Sequence, residues 1–332
     1  MKRLIQIAFV CALAGGVSAD FSKVGSAGAQ FLKIGVGSRY QGMGEASVAI
    51  ANDVYSMYWN PAGLVEINNS AIGFTNVNWV LDIDLNYVAY AKNFQDIGVF
   101  GVAASILSMD KQEITTFDQQ DGTGNQYSAS SYAIGVSFAR QMTAKFAFGA
   151  SIKYIGERIH QERSEGLGFD FGTMLYTGFR SLRMGMSMTN LGRDMRFEGP
   201  DLDVTFDPQQ GQGANSAIGA KLKSTPYDLP LMFRFGLAYD FNLAPKSMLT
   251  LSGELKHPND NVRQEAVGAE FGYNQQFFLR TGYKFNNDEQ TIAFGGGLQT
   301  NITKGTKLTI DYAWQDFGRL QTAQRFSVGF VF

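Results

Sequence analysis

From about residue 70 to residue 332, apolar and polar positions alternate with a period of two, the pattern of β-strands that present different surroundings to their two faces. In 305–315, Thr306, Leu308, Ile310, Tyr312 and Trp314 share one face, and Lys307, Thr309, Asp311 and Gln315 the other. In 276–285, Phe277, Leu279, Tyr283 and Phe285 oppose Gln276, Arg280, Gly282 and Lys284, with Phe278 the exception. The same reading predicts strands over 71–78, 84–93, 97–108, 127–140, 144–157, 165–177, 180–190, 229–241, 247–257, 263–273, 276–285, 290–300, 305–315 and 323–332. The links after the second, fourth, sixth, eighth, tenth and twelfth of these are short. The long links, 109–126 and 191–228, follow the third and the seventh. The polar face is also rich in Gly, Ala and Ser, so it leaves room for something to pack closely against it.

Composition decides what the strands build. Charged residues are 17% of the chain, below the roughly 25% usual in soluble proteins, and there are 38 Gly and 27 Phe. Beyond the first twenty residues no run reaches the roughly 18 apolar residues of a membrane helix. An apolar, Gly-rich chain of alternating strands fits an all-β fold, a fourteen-stranded antiparallel transmembrane barrel with short turns at one end and long loops at the other. A soluble two-sheet sandwich would alternate in the same way. The two ends weigh against it. Lys2 and Arg3, the apolar run Leu4 to Leu13, and Val17-Ser18-Ala19 read as a cleaved signal peptide over 1–19. At the other end Phe326, Val328, Phe330 and Phe332 line one face of a strand that stops on an aromatic residue, resembling the assembly signal read by the barrel-assembly machinery. Such a strand must pair with the first one to remove the edges of the sheet. The expected location is the outer membrane, with both chain termini periplasmic and the long loops outside. Cys11 lies in the signal region, so the exported chain carries no thiol or disulfide chemistry. A net charge of −2 argues against nucleic acid as a partner.

Residues 20–69 do not alternate, and they precede the barrel segment 70–332. They contain Phe31-Leu32-Lys33-Ile34-Gly35-Val36-Gly37, then Gly42-Met43-Gly44-Glu45-Ala46, Ala49-Ile50-Ala51-Asn52-Asp53, and Asn60-Pro61-Ala62-Gly63-Leu64. This stretch resembles the opening of the PorV/PorQ family of outer-membrane proteins and, more distantly, the FadL-type transporters of long-chain fatty acids and aromatic hydrocarbons. The resemblance implies that 20–69 folds into the lumen of the barrel as a plug, or hatch. Gly42, Met43, Gly44, Asp53, Asn60, Pro61, Ala62 and Gly63 are then the plug motif, in a structural or a ligand-contacting role. Gly42 and Gly44 permit close approach, Asn60-Pro61 sets a fixed turn, and the Asn60 amide can satisfy backbone groups there.

Candidate chemistry is sparse. His160 and His257 are the only histidines and have no neighbouring ligand set, so neither a metal nor a Ser-His-Asp site is proposed and no cofactor is implied. The polar faces of the strands carry Lys153, Asp170, Arg234, Asp240, Glu254, Glu270, Arg280, Lys284 and Asp311. Such charges are costly in lipid, but in a lumen they can pair with one another or with the plug; a solute path is the alternative. The resemblance leaves two non-enzymatic functions. The first is handling or anchoring of secreted proteins in type IX secretion, with cargo or a translocon as partner. The second is uptake of hydrophobic small molecules, for which Gly98, Gly101 and Ala103-Ala104 would allow a kink in 97–108 and a lateral gap.

Overall fold

A computed structural model describes residues 24–206, 218–287, 289–303 and 305–332; the predicted signal peptide lies outside the described residues. The alternating region forms β1 (Ser70–Asn78), β2 (Asp84–Asn93), β3 (Val99–Ser108), β4 (Ala129–Thr143), β5 (Phe146–Ile159), β6 (Glu162–Tyr176) and β7 (Arg183–Gly192). It continues with β8 (Met232–Ala244), β9 (Ser247–Pro258), β10 (Gln264–Tyr273), β11 (Phe277–Phe285), β12 (Ile292–Thr303), β13 (Thr306–Asp316) and β14 (Thr322–Val331). Each strand pairs antiparallel with its sequence neighbours, and β14 returns to β1 to close the barrel. The closing register runs from Ala71↔Val331 to Asn78↔Gln324, and the Phe332 amide adds a bond to the Ser70 carbonyl at 2.8 Å. No strand edge is left open in the barrel, the condition for burying a sheet in lipid.

Alternation sorts the side chains as expected. Phe74, Val102, Ile134, Ile152, Leu237, Tyr283 and Phe326 are exposed on the outside, while Thr75, Ser137, Ser187, Thr250 and Ser327 are buried inside. Phe278 breaks the rule where the inner face runs out toward the turn after β10, and the Arg280 guanidinium sits 5.3 Å from its ring centroid. The turns at this end are tight. Asn274 and Gln275 both adopt positive φ, as a two-residue turn matching the twist of its strands requires. One end of the barrel thus carries the connections 94–98, 144–145, 177–182, 245–246, 274–276 and 304–305, together with Ser70 and Phe332. The other end carries 79–83, 109–128, 160–161, 193–231, 259–263, 286–291 and 317–321. Two small hairpins stand on that second end, Gln112–Glu113 with Gln126–Tyr127 and Asp203–Phe206 with Ile218–Lys221. The rule of short periplasmic turns and longer external loops predicts that the second end faces outward.

The glycine and alanine content of β3 does not open a gap. Every residue from Val99 to Ser108 is paired with β2 on one side and β4 on the other. The wall is irregular elsewhere. Between β6 and β7 the register shifts from Phe169↔Leu191 to Phe171↔Met188, with Asn190 at positive φ, and β8 pairs β7 only as far as Thr189.

Candidate functional site

The segment before β1 lies against the inner wall. It has little regular structure, only short turns at Gln30–Lys33, Ser38–Gly42, Ser56–Trp59 and Pro61–Glu66, but nearly every side chain from Ile34 to Leu64 is buried. The small residues of the wall account for the closeness. A Cβ at Gly149 or Gly172 would overlap Pro61, Ala62 or Asn60, one at Gly185 would overlap the Val48 carbonyl, and one at Gly282 would overlap Met43 and Gly44. Met57 sits on Gly101, and Val54 and Tyr55 sit on Gly73. The segment thus packs against one face of β1, β3, β5, β6, β7 and β11. Its apolar side chains, Phe31, Val36, Met43, Ile50, Met57, Trp59 and Leu64 among them, form the core together with Leu85, Tyr87, Ile155 and wall alanines. Burial of this kind contributes about 1.5–3 kcal/mol per large side chain, which replaces the secondary structure the segment lacks.

The motif residues hold the segment's shape. The Asn60 side chain accepts from the Ala62 amide at 3.2 Å and donates to the carbonyls of Val48 at 2.8 Å and Thr173 at 3.0 Å, joining two parts of the segment to β6. Pro61 then opens the turn whose amide it does not need. Gly63 lies so close to the Ala51 carbonyl that a Cβ would overlap it. Gly44 is at φ +63°, and its Cβ would stand 2.8 Å from the Tyr283 amide nitrogen; one at Gly42 would stand 3.0 Å from the Gly295 Cα. Met43 is wholly buried. Asp53 is half-exposed, and its carboxylate accepts from the Tyr55 amide at 2.9 Å.

All nine charges singled out on the strands are ion-paired, in separate groups. Lys153 meets Asp170 at 2.9 Å. Arg234 meets Glu254 at 3.5 Å, and Glu254 also accepts from the amides of Ser47 at 2.6 Å and Val48 at 2.7 Å. Arg280 bridges Glu270 at 2.6 Å and Asp311 at 2.5 Å. Asp240 pairs with Arg183, whose Nε also donates to the Ala49 carbonyl at 3.0 Å. Lys284 pairs with Glu45 at 2.6 Å.

The partners that the period of two did not identify are largely on the segment. Arg39 clamps Glu270 with two bonds of 2.9 Å, the two-pronged geometry that suits guanidinium and carboxylate. Glu45 takes Lys256 as well as Lys284. Burial alone would raise the Glu45 carboxyl, but these two ammonium groups outweigh it and hold the group well below the usual carboxylate range. Lys256 shares the inward parity of Glu254, and Arg183 that of Ser187, so both were legible in the strand pattern. Arg39 and Glu45 were not, because 20–69 has no period to follow.

Between the segment and the outer half of the wall lies a cavity of about 50 Å³, lined by Phe31, Ile34, Val36, Met57, Leu85 and Tyr87 and by the polar groups of Lys153, Asn190 and Arg234. Among the described residues no three His, Asp or Glu side chains gather as a metal site would require.

The sequence matches the family described as "Type IX secretion system protein PorV" over residues 18–258, which takes in the whole inner segment and β1 to β9. No curated protein matches it. Solved structures with the same architecture include the CymD monoaromatic hydrocarbon channel, with 12% identity, 90% of this chain and 96% of that chain covered, and a TM-score of 0.56. The Pseudomonas putida toluene transporter TodX is similar at 12% identity, 89% and 97% coverage and a TM-score of 0.56. The Ralstonia pickettii toluene transporter TbuX matches at 13% identity, with 89% and 97% covered and a TM-score of 0.56. These likenesses establish a fold shared with FadL-type outer-membrane transporters.

Proposed function

Because the chain belongs to the PorV family of type IX secretion proteins, we propose that this outer-membrane β-barrel handles or anchors secreted proteins at the outer membrane. Segment 1–19 is its cleaved export signal, 20–69 a plug and 70–332 the barrel. The observation that supports the choice over solute passage is the close packing of the segment 34–64 on the barrel wall. The apolar cavity beside the segment is about 50 Å³, against roughly 150 Å³ for an apolar cavity that takes up benzene and about 300–1,000 Å³ for common ligand sites, and a second cavity of about 190 Å³ at the short-turn end is lined by the charged groups of Arg39, Glu66, Arg183 and Asp240. The inward charges a solute path would need are instead paired with one another and with the segment. A barrel so occupied works through its outer rim and its partners rather than its bore, and its chemistry is that of binding, as in non-enzymatic kinds of protein.

Deletion of the gene, followed by surface labelling and mass spectrometry, tests the reading. Secreted proteins should disappear from the cell surface and accumulate in the periplasm. An unchanged surface proteome sinks it.

A second reading is uptake of a hydrophobic small molecule, favoured by the apolar lining of the cavity and by the fold of the toluene transporters. It requires the segment to move before any ligand fits. Deletion should then slow uptake of monoaromatic hydrocarbons while leaving the surface proteome intact. The terminal face Phe326, Val328, Phe330 and Phe332 is proposed to bring the chain to the barrel-assembly machinery in either case.

A further inference from the structure

Two cations near the short-turn end face outward from the sheet. Lys92 on β2 shares the parity of Val88 and Tyr90, and Arg140 on β4 that of Ile134 and Val136, all of them exposed. Neither Lys92 nor Arg140 is ion-paired among the described residues. A cluster of rings lies between them. The Phe94 and Phe100 centroids are 5.6 Å apart and those of Phe100 and Phe138 4.9 Å, and the Lys92 Nζ stands 5.4 Å from the Phe94 centroid. The ladder fixes this arrangement. Lys92 is opposite Phe100, Phe100 is opposite Phe138, and Arg140 follows Phe138 on the same face. Two strand spacings and two residues of rise put the Lys92 and Arg140 Cα atoms about 12 Å apart, a span that the two long side chains can close around one anion.

We propose that Lys92 and Arg140, flanking the Phe94, Phe100 and Phe138 rings, bind the phosphate of an anionic glycerophospholipid in the leaflet at the short-turn end, the periplasmic leaflet in the predicted orientation. Long cationic side chains beside interfacial rings hold their charge at headgroup level while their stems cover apolar surface. A guanidinium and an ammonium together supply the donors that phosphate oxygens accept. An acidic protein would be met by the turn tips. These cations stand instead on the lipid-facing side of the sheet, with exposed Ile97 and Met142 beside them, so the anion that suits them is one embedded in the membrane. The turn 94–98 brings one carboxylate, Asp96, against the two cations, and the patch stays positive. Rings alone do not make such a site. The turn after β10 is flanked by exposed Tyr273 and Phe277, but Asn274, Gln275 and Gln276 bring it no charge.

Native mass spectrometry of the purified full barrel, released from detergent in the presence of phosphatidylglycerol or phosphatidylcholine, tests the proposal. The parent should retain phosphatidylglycerol in preference to phosphatidylcholine. Lys92→Gln combined with Arg140→Gln should weaken that retention about thirtyfold, the scale for two cations at a membrane surface. Lys111→Gln combined with Arg319→Gln removes the same charge from exposed positions at the long-loop end and should leave the retention unchanged. Heat-modifiable gel migration checks that each barrel is folded. Equal retention of the two lipids by the parent, or an unchanged preference once Lys92 and Arg140 are replaced, overturns the proposal. Displacement of the lipid by inorganic phosphate at equal concentration would make a free anion the ligand and overturns it as well.

Discussion

Glu45 holds two ammonium groups at once, and Glu45→Gln isolates what that is worth. Lys256 and Lys284 are both only 3% exposed, and among the described residues Glu45 is the carboxylate that pairs with each. Lys284 keeps the Gln290 amide oxygen at 2.7 Å, so it retains one acceptor after the change. A Gln at position 45 preserves the shape and one neutral acceptor but removes the charge from between two buried cations. Breaking a buried pair by removing one member costs about 3–5 kcal/mol. With the surviving acceptors the lower end applies, about 3 kcal/mol, which should appear as a lower urea midpoint for the purified barrel followed by tryptophan fluorescence. Glu45→Gln combined with Lys256→Met removes one of the stranded charges. It should be less destabilised than the sum of the two single changes, as residues in one network are. A midpoint for Glu45→Gln within about 0.5 kcal/mol of the parent, the range of ordinary surface substitutions, would refute the reading that Glu45 anchors the segment to β9 and β11.

Acid should act at the same place. The folded-state pKa of Glu45 is depressed, so its contribution is complete above the ordinary carboxylate range, near pH ~4.3, and is lost as pH falls below it. Protease sensitivity of the segment in the folded barrel should rise in acid for the parent and less so for Glu45→Gln, whose segment is already loosened. Asn60→Ala leaves the Val48 and Thr173 carbonyls without the amide that serves them and should cost about 2–3 kcal/mol in urea unfolding, with no rescue by Asn60→Asp, which cannot donate. Gly63→Ala drives a methyl group into the Ala51 carbonyl and should cost about 1–3 kcal/mol while leaving the barrel's strand content by circular dichroism unchanged. Removal of Phe332 deletes the last ladder bond to Ser70 and the end of the aromatic face, and should lower the amount of heat-modifiable barrel recovered from the outer membrane without altering its unfolding midpoint.

The barrel was legible because its signal is local: a strand with lipid on one side and protein on the other writes its two faces into adjacent residues. Strands as unlike as β11 and β13 were therefore placed within a residue or two, and Phe278 stood out as an exception before its cation–π contact with Arg280 was known. The inward charges were legible for the same reason, since Arg280, Lys284 and Asp311 follow the parity of their strands. Which charges meet was not, because Glu270 and Arg39 are brought together only by the path of a segment with no period. The irregular wall at Asn190 was likewise hidden. The small Gly101 of β3, by contrast, serves close packing of Met57 rather than a break in the ladder.

The contacts at the junction of β1 and β14 have a consequence for how the ring comes together. From inside, the Tyr55 hydroxyl lies 2.9 Å from the Phe74 carbonyl on β1 and 3.2 Å from the Val328 carbonyl on β14, so its one proton serves both strands. Beside it, the Ser327 hydroxyl receives the Ser38 amide at 2.9 Å and lies 2.8 Å from the Thr75 hydroxyl. The segment thus clasps, through Ser38 and Tyr55, the joint between the first strand and the last. A ring closed without it would lack these clasps at its newest seam and would reopen more readily than one closed around its contents, so the joint itself discriminates between a finished barrel and an empty one.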